Sequence, residues 1–170
     1  GAIGLTLYGG VANTTGLYFA DGIVGNETYR GYVEYSHATD SFAFGTAGAN
    51  RYTIDSTGIA TWLVAGSTAM TLNSTGLGVG VTPSLWSAGK GLEVGAIGNG
   101  LWCNNSTFNQ LLQNAYFNAG FKYAAAASTS AARLELGGGF NFYIAPAGTA
   151  GNAITFTQAM TLDALGNLLV

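Results

Sequence analysis

Residues 69–80 read AMTLNSTGLGVG, and residues 159–170 read AMTLDALGNLLV. Both run Ala-Met-Thr-Leu, an Asn or Asp, two spacers, a Gly and an apolar tail; YTIDSTGIA at 52–60 is a shorter third version. In each, an extended run meets an Asx residue whose side chain can bond backbone N–H groups just ahead and nucleate a turn. Gly58, Gly76 and Gly166 stand three residues beyond Asp55, Asn73 and Asp163, where a positive φ is often needed. The chain then re-enters a strand at Ile59, Leu77 or Leu168. Each copy is expected to be a strand–turn–strand step, and such repetition points to architecture before chemistry.

Working outward, short β-branched and aromatic stretches are cut by Gly, Asn, Asp and Ser: GLYFADG (16–22), TYRGYVEYS (28–36), SFAFG (41–45) and FNFYIAP (140–146). Alternation places Tyr29, Gly31, Val33 and Tyr35 on one face and Arg30, Tyr32, Glu34 and Ser36 on the other. Aromatics on both faces suggest that neither is simply solvated. Helical periodicity is hard to find. Its best stretch is Phe108–Phe117, weakened by Asn residues and aromatics. The expected class is all-β, with short strands and hairpins.

A larger repeat surrounds the small one. SFAFGTAGANRYTID (41–55) aligns with FYIAPAGTAGNAITFTQAMTLD (142–163) through a shared GTAG, and aromatic runs lie upstream of each, GLYFADG in one half and NAYFNAGFKY (114–123) in the other. The reading is two related β modules, 1–80 and 91–170, joined by a connector at 81–90 that carries Pro83. The chain begins on Gly1 and stops at Val170 in mid-pattern, and is read as a piece of a longer polypeptide.

Charged residues make up 8% of the 170, against roughly a quarter in an average soluble domain. A surface this poor in charge suits a protein largely covered by partner chains, where each charge would need desolvation. The hydrophobic fraction is 48%, yet no apolar run approaches the ~20 residues that span a bilayer, so membrane insertion is not expected. Net charge is −3, and Arg30, Arg51, Lys90, Lys122 and Arg133 are scattered; nucleic acid is not an expected partner. The lone Cys103 excludes an intrachain disulfide.

AMTLNSTGLGVGVTPS (69–84) and GTAGNAITFTQAMTLDALGNLLV (148–170) resemble repeated segments in tail fibres and related receptor-binding appendages of tailed bacteriophages. Those repeats carry a GTAG turn, a TQAMTLD-type strand, then Gly-Asn-Leu and an apolar stretch. The resemblance is strong at the end of each module and looser over the aromatic strands. The sequence departs from the pattern in stopping at Val170, before the closing Gly-Thr-Thr and the C-terminal autocleaving chaperone domain that such fibres sometimes carry, as expected of a piece of a longer chain. The resemblance implies a parallel homotrimer, intertwined or side by side, located on the virion. Other tail proteins, and a host-surface glycan or protein, are the implied partners. The implied function is a structural segment of the fibre, extending the appendage and aiding host attachment, without enzymatic activity or cofactor. Alternatives are a head fibre or capsid decoration protein, a polysaccharide-degrading tail spike, and a bacterial trimeric adhesin stalk.

Candidate chemistry is sparse. His37, the sole histidine, has Ser36 and Asp40 nearby but no second ligand at metal spacing, and reads as a polar loop residue; no metal site is expected. The eight acids show no spacing that selects a catalytic pair, and Asp55 and Asp163 are already accounted for by turns. GLGVGV (76–81) and GAIGNG (95–100) miss the dinucleotide fingerprint and are read as strand and turn glycines. Sequons at Asn13, Asn26, Asn73, Asn104 and Asn105 are expected by chance in a chain this rich in Asn and Thr. Trp62, Trp86 and Trp102 are read chiefly as intermodule and interchain packing residues rather than sugar platforms. The candidate glycan contact is the cluster Tyr29, Tyr32 and Tyr35.

Overall fold

The computed structural model describes residues 3–104, 108–125 and 129–170, and the sequon at Asn105 lies outside them. The described chain is all-β, as expected, and falls into two compact units, Gly1–Ala69 and Met70–Val170. The connector read at 81–90 lies within the second unit.

The first unit is an antiparallel meander of five strands: β1 (Thr14–Phe19), β2 (Gly31–Ser36), β3 (Ser41–Thr46), β4 (Ala49–Ile54) and β5 (Ala60–Val64), each paired with the next. A single 3₁₀ turn, Gly25–Tyr29, lies between β1 and β2. The first GTAG closes the β3–β4 hairpin. Thr46 pairs with Ala49, and Ala47 and Gly48 both take positive φ, 53° and 68°, which matches the twist of the flanking strands. Tyr35, Phe42, Phe44, Tyr52 and Trp62 form a cross-strand ladder, with neighbouring ring centroids 4.6–6.5 Å apart. On the opposite face the Tyr32 ring lies over Gly45, where any Cβ would overlap it, and the Tyr32 hydroxyl donates to Asn50 Oδ1 at 2.6 Å.

Strand β6 (Ser67–Asn73) runs across the boundary between the units. The second unit continues with β7 (Gly76–Val79), β8 (Lys90–Val94), β9 (Gly100–Asn104) and β10 (Phe108–Gln113). After a small hairpin, β11 (Ala115–Phe117) with β12 (Phe121–Tyr123), come β13 (Ala131–Leu136), β14 (Gly139–Ala145), β15 (Thr157–Asp163) and β16 (Leu168–Leu169). The sheet order is β6-β7-β8-β9-β10-β13-β14-β15-β16. Every described pair is antiparallel except β7–β8.

Phe108–Phe117, the best helical stretch by sequence, is instead two strands, β10 and β11. Gln110 and Leu112 are buried while Asn109, Leu111 and Gln113 are exposed. That is a two-residue period. Asn114 breaks the run at φ +54°, with its side chain donating to Thr129 O at 2.8 Å and accepting from Ala125 N at 2.6 Å.

The core of the second unit lies on one face of its sheet. Trp102 stacks between Trp86, at 5.6 Å, and Phe117, at 5.0 Å, with Leu112, Ala115, Tyr123, Ala131 and Ala145 around them. Trp86 and Trp102 are packing residues, but within the unit and not between modules, because the 81–90 stretch and the β11–β12 hairpin bring Trp86 and Phe117 onto Trp102. The second GTAG (148–151) makes no hairpin. Gly148 sits against the Tyr123 ring and Gly151 N donates to Tyr123 O at 2.8 Å, so this copy covers the core.

Candidate interaction surface

The three Asx steps are all hairpins, but they are not one turn. Gly58 N donates to Asp55 O at 2.9 Å and Asp55 N to Ile59 O at 3.1 Å; Gly166, Asp163 and Asn167 repeat this at 3.1 and 3.0 Å. Gly58 and Gly166 have φ of 82° and 85°. These are three-residue loops with glycine in the left-handed position. The Asp55 carboxylate accepts from Thr57 Oγ1, Thr57 N and Ile59 N; that of Asp163 accepts from Asn167 Nδ2, Asn167 N and Leu165 N. The Thr57 hydroxyl first, then backbone N–H groups, holds the Asp55 carboxyl below its ordinary value. The Asn167 side chain and then the backbone do the same for Asp163.

At the middle step Asn73 pairs directly with Gly76, leaving a two-residue loop, and Asn73 Oδ1 accepts from Thr75 N, Thr75 Oγ1 and Gly76 N. Gly76 already lies in β7, and its glycine requirement is one of space. A Cβ there would overlap the Gly91 carbonyl oxygen of β8.

The sheet of the second unit has two unlike faces. The inner one holds Trp102, Gln110, Leu112 and Glu93. Glu93 is fully buried; its carboxylate accepts from Ser84 N at 2.5 Å, Ser84 Oγ at 2.8 Å and Gly98 N at 2.5 Å. It thereby ties the 81–90 stretch to the turn after β8. Arg133 is packed over Tyr143, 4.0 Å from the ring centre, with Glu135 at 3.7 Å.

The outer face carries an unbroken register row. Leu72 pairs with Leu77, Leu77 with Leu92, Leu92 with Leu101, and Leu101 with Leu111. Leu111 pairs with Leu134, Leu134 with Phe142, and Phe142 with Met160. Alternation puts Val79, Val94, Leu136, Phe140 and Ile144 on the same side, all exposed. Lys90 is the one charged residue whose register falls on this face among the described residues, and its Nζ donates to Ser74 O. The row had a signal in the sequence, the period-two apolar pairs of GLGV, KGLEV and AARLEL.

The candidate glycan tyrosines do not share a surface. Tyr29 ends the 3₁₀ turn with its hydroxyl on Asn26, Tyr32 is buried over Gly45, and Tyr35 points to the opposite face, donating to Asp40. His37 lies edge-on to Tyr35 with Nε2 3.2 Å from Thr15 Oγ1. Among the described residues no group of three His, Cys, Asp or Glu side chains could hold a metal, and no helix is long and apolar enough to cross a membrane. No protein family, characterised protein or solved structure matches this chain.

Proposed function

We propose that this chain is a structural segment of a trimeric tail fibre of a tailed bacteriophage, extending the appendage and contributing to host attachment. The observation that carries this reading is the state of the first unit. It is a single-layered five-stranded sheet in which, among the described residues, only Tyr32 and Ala60 are buried hydrophobics. A sheet with an apolar face needs a second layer to bury it, and a charge-poor chain offers copies of itself as that layer. Three parallel copies close the symmetry and resist unfolding kinetically, as an extracellular appendage requires. They also present any host-binding surface three times, with the avidity that follows.

The acids support a structural role. Asp55 and Asp163 organise turns, Glu93 is buried among its donors, and Glu135 accepts from Gln110. The test is light scattering on the expressed segment, together with antibody labelling of virions. The expected results are three times the 17.3 kDa of one chain and label along the tail appendage. A stable folded monomer overturns the trimer. Label on the capsid favours the head-fibre alternative, and sugar release from purified host envelope favours the spike.

A further inference from the structure

We infer that the outer face of the second unit's sheet is an interface between copies of this chain, with the leucine row from Leu72 to Met160 at its centre; this rests on the homomeric reading above.

Three observations select a second copy as the occupant. The first is that the inner face is already covered by the chain's own aromatic residues, while the outer face has nothing over it: Leu111 is 58% exposed, Ile144 56% and Phe140 48%. Secondly, among the described residues the face carries no carboxylate, and its one cation is held to a backbone carbonyl. Two copies of it therefore meet without like-charge repulsion, and neither has to desolvate an ion. A partner selected by charge would find nothing on this face to read. The third observation is size. Eight strands at about 4.8 Å spacing span about 34 Å, and three residue rows along each strand add about 14 Å. The face is on the order of 500 Å² in projection, before side-chain relief is counted. That stands near the upper end of patches left bare on monomers, and side-chain relief brings it towards the roughly 600–1,000 Å² that a stable interface takes from each partner.

Cys103 supplies the test. It is exposed in the single chain and lies on this face, two residues along β9 from Leu101 and paired with Asn109. Native protein is treated with a bulky polar maleimide, and its mass is followed by light scattering. The expected result is an oligomer in which Cys103 reacts at least tenfold more slowly than in denatured chain. Leu111→Asp is expected to restore full reactivity with the native circular dichroism retained. An oligomer of native mass with a freely reactive Cys103 overturns this inference and leaves the trimer standing. A native monomer with reactive Cys103 overturns both. Should Leu111→Asp unfold the chain, the wild-type labelling decides alone, because it needs no substitution.

Discussion

Trp62 and Trp102 both sit on strands with antiparallel neighbours, yet they meet different surroundings. Trp102 is 2% exposed, stacked between Trp86 and Phe117 and donating its indole N–H to Ala88 O at 2.7 Å. Trp62 is half-buried at the end of a ladder of rings, with Tyr52 as its ring neighbour. The second unit folds a hairpin, a connector and a long β14–β15 loop back over its sheet, and so owns a core. The first unit joins most of its strands by short turns, and its one long connection, residues 20–30, leaves Ile23 and Val24 exposed instead of laying them on the sheet. Strand chemistry alone makes a sheet in both; connections that lay Trp86, Phe117, Ile154 and Phe156 on the sheet give a core to one.

The largest effect that tests this contrast is Trp102→Ala. It should cost about 3–5 kcal/mol in denaturant unfolding, while Trp62→Ala in the isolated chain costs about 1–2 kcal/mol. Equal losses would erase the distinction between the units. Next comes Glu93→Ala. It leaves the Ser84 and Gly98 donors without their buried acceptor and is expected to cost about 3 kcal/mol. Hydrogen exchange at Gly98 N–H should accelerate with it; unchanged protection there would mean the clamp contributes little.

Within the Asx steps, Gly76→Val should prevent β7 from seating on β8 and reduce the yield of assembled protein. Gly58→Ala, in open space, loses only the left-handed preference, about 1–2 kcal/mol. Matching stabilities for the two variants would refute the difference between the turns. The smallest effect is acid sensitivity. Asp55 and Asp163 have folded pKa values below their unfolded ones, so their contribution is present above the unfolded pKa. It is lost as pH falls through the folded value, below about 4. Asn73 does not titrate. Amide exchange should show the 55–59 and 163–167 turns loosening in acid while the 73–76 turn holds.

Much of this was legible in the residues. The all-β class and the three hairpin steps follow from Asx-x-x-Gly between apolar runs. What could not be read is which hairpin each makes, because Asn73-Ser74-Thr75-Gly76 and Asp55-Ser56-Thr57-Gly58 differ in one atom type. The choice is made by the packing of Gly76 on Gly91, a residue fifteen positions away. The two GTAG copies diverge for a similar reason: one is held by strands on both sides, the other by the Tyr123 ring. Glu93 gave no local signal, since its donors come from Ser84 and Gly98. Tyr29, Tyr32 and Tyr35 were grouped by closeness in sequence, and strand alternation sends Tyr32 and Tyr35 to opposite faces.

The one parallel pair among the described residues, β7 with β8, has a bearing on the order of events during folding. Hairpins of this chain can zip as soon as two neighbouring strands exist, since their contacts are local. A parallel partner has to be brought round by residues 80–89 before any ladder bond forms. Closing that loop costs entropy ahead of its reward. The Glu93 carboxylate fastens Ser84 within the same loop. The slow step in refolding is therefore expected at the crossover, and weakening the Ser84 latch should lengthen it while leaving the hairpin phases at their own pace.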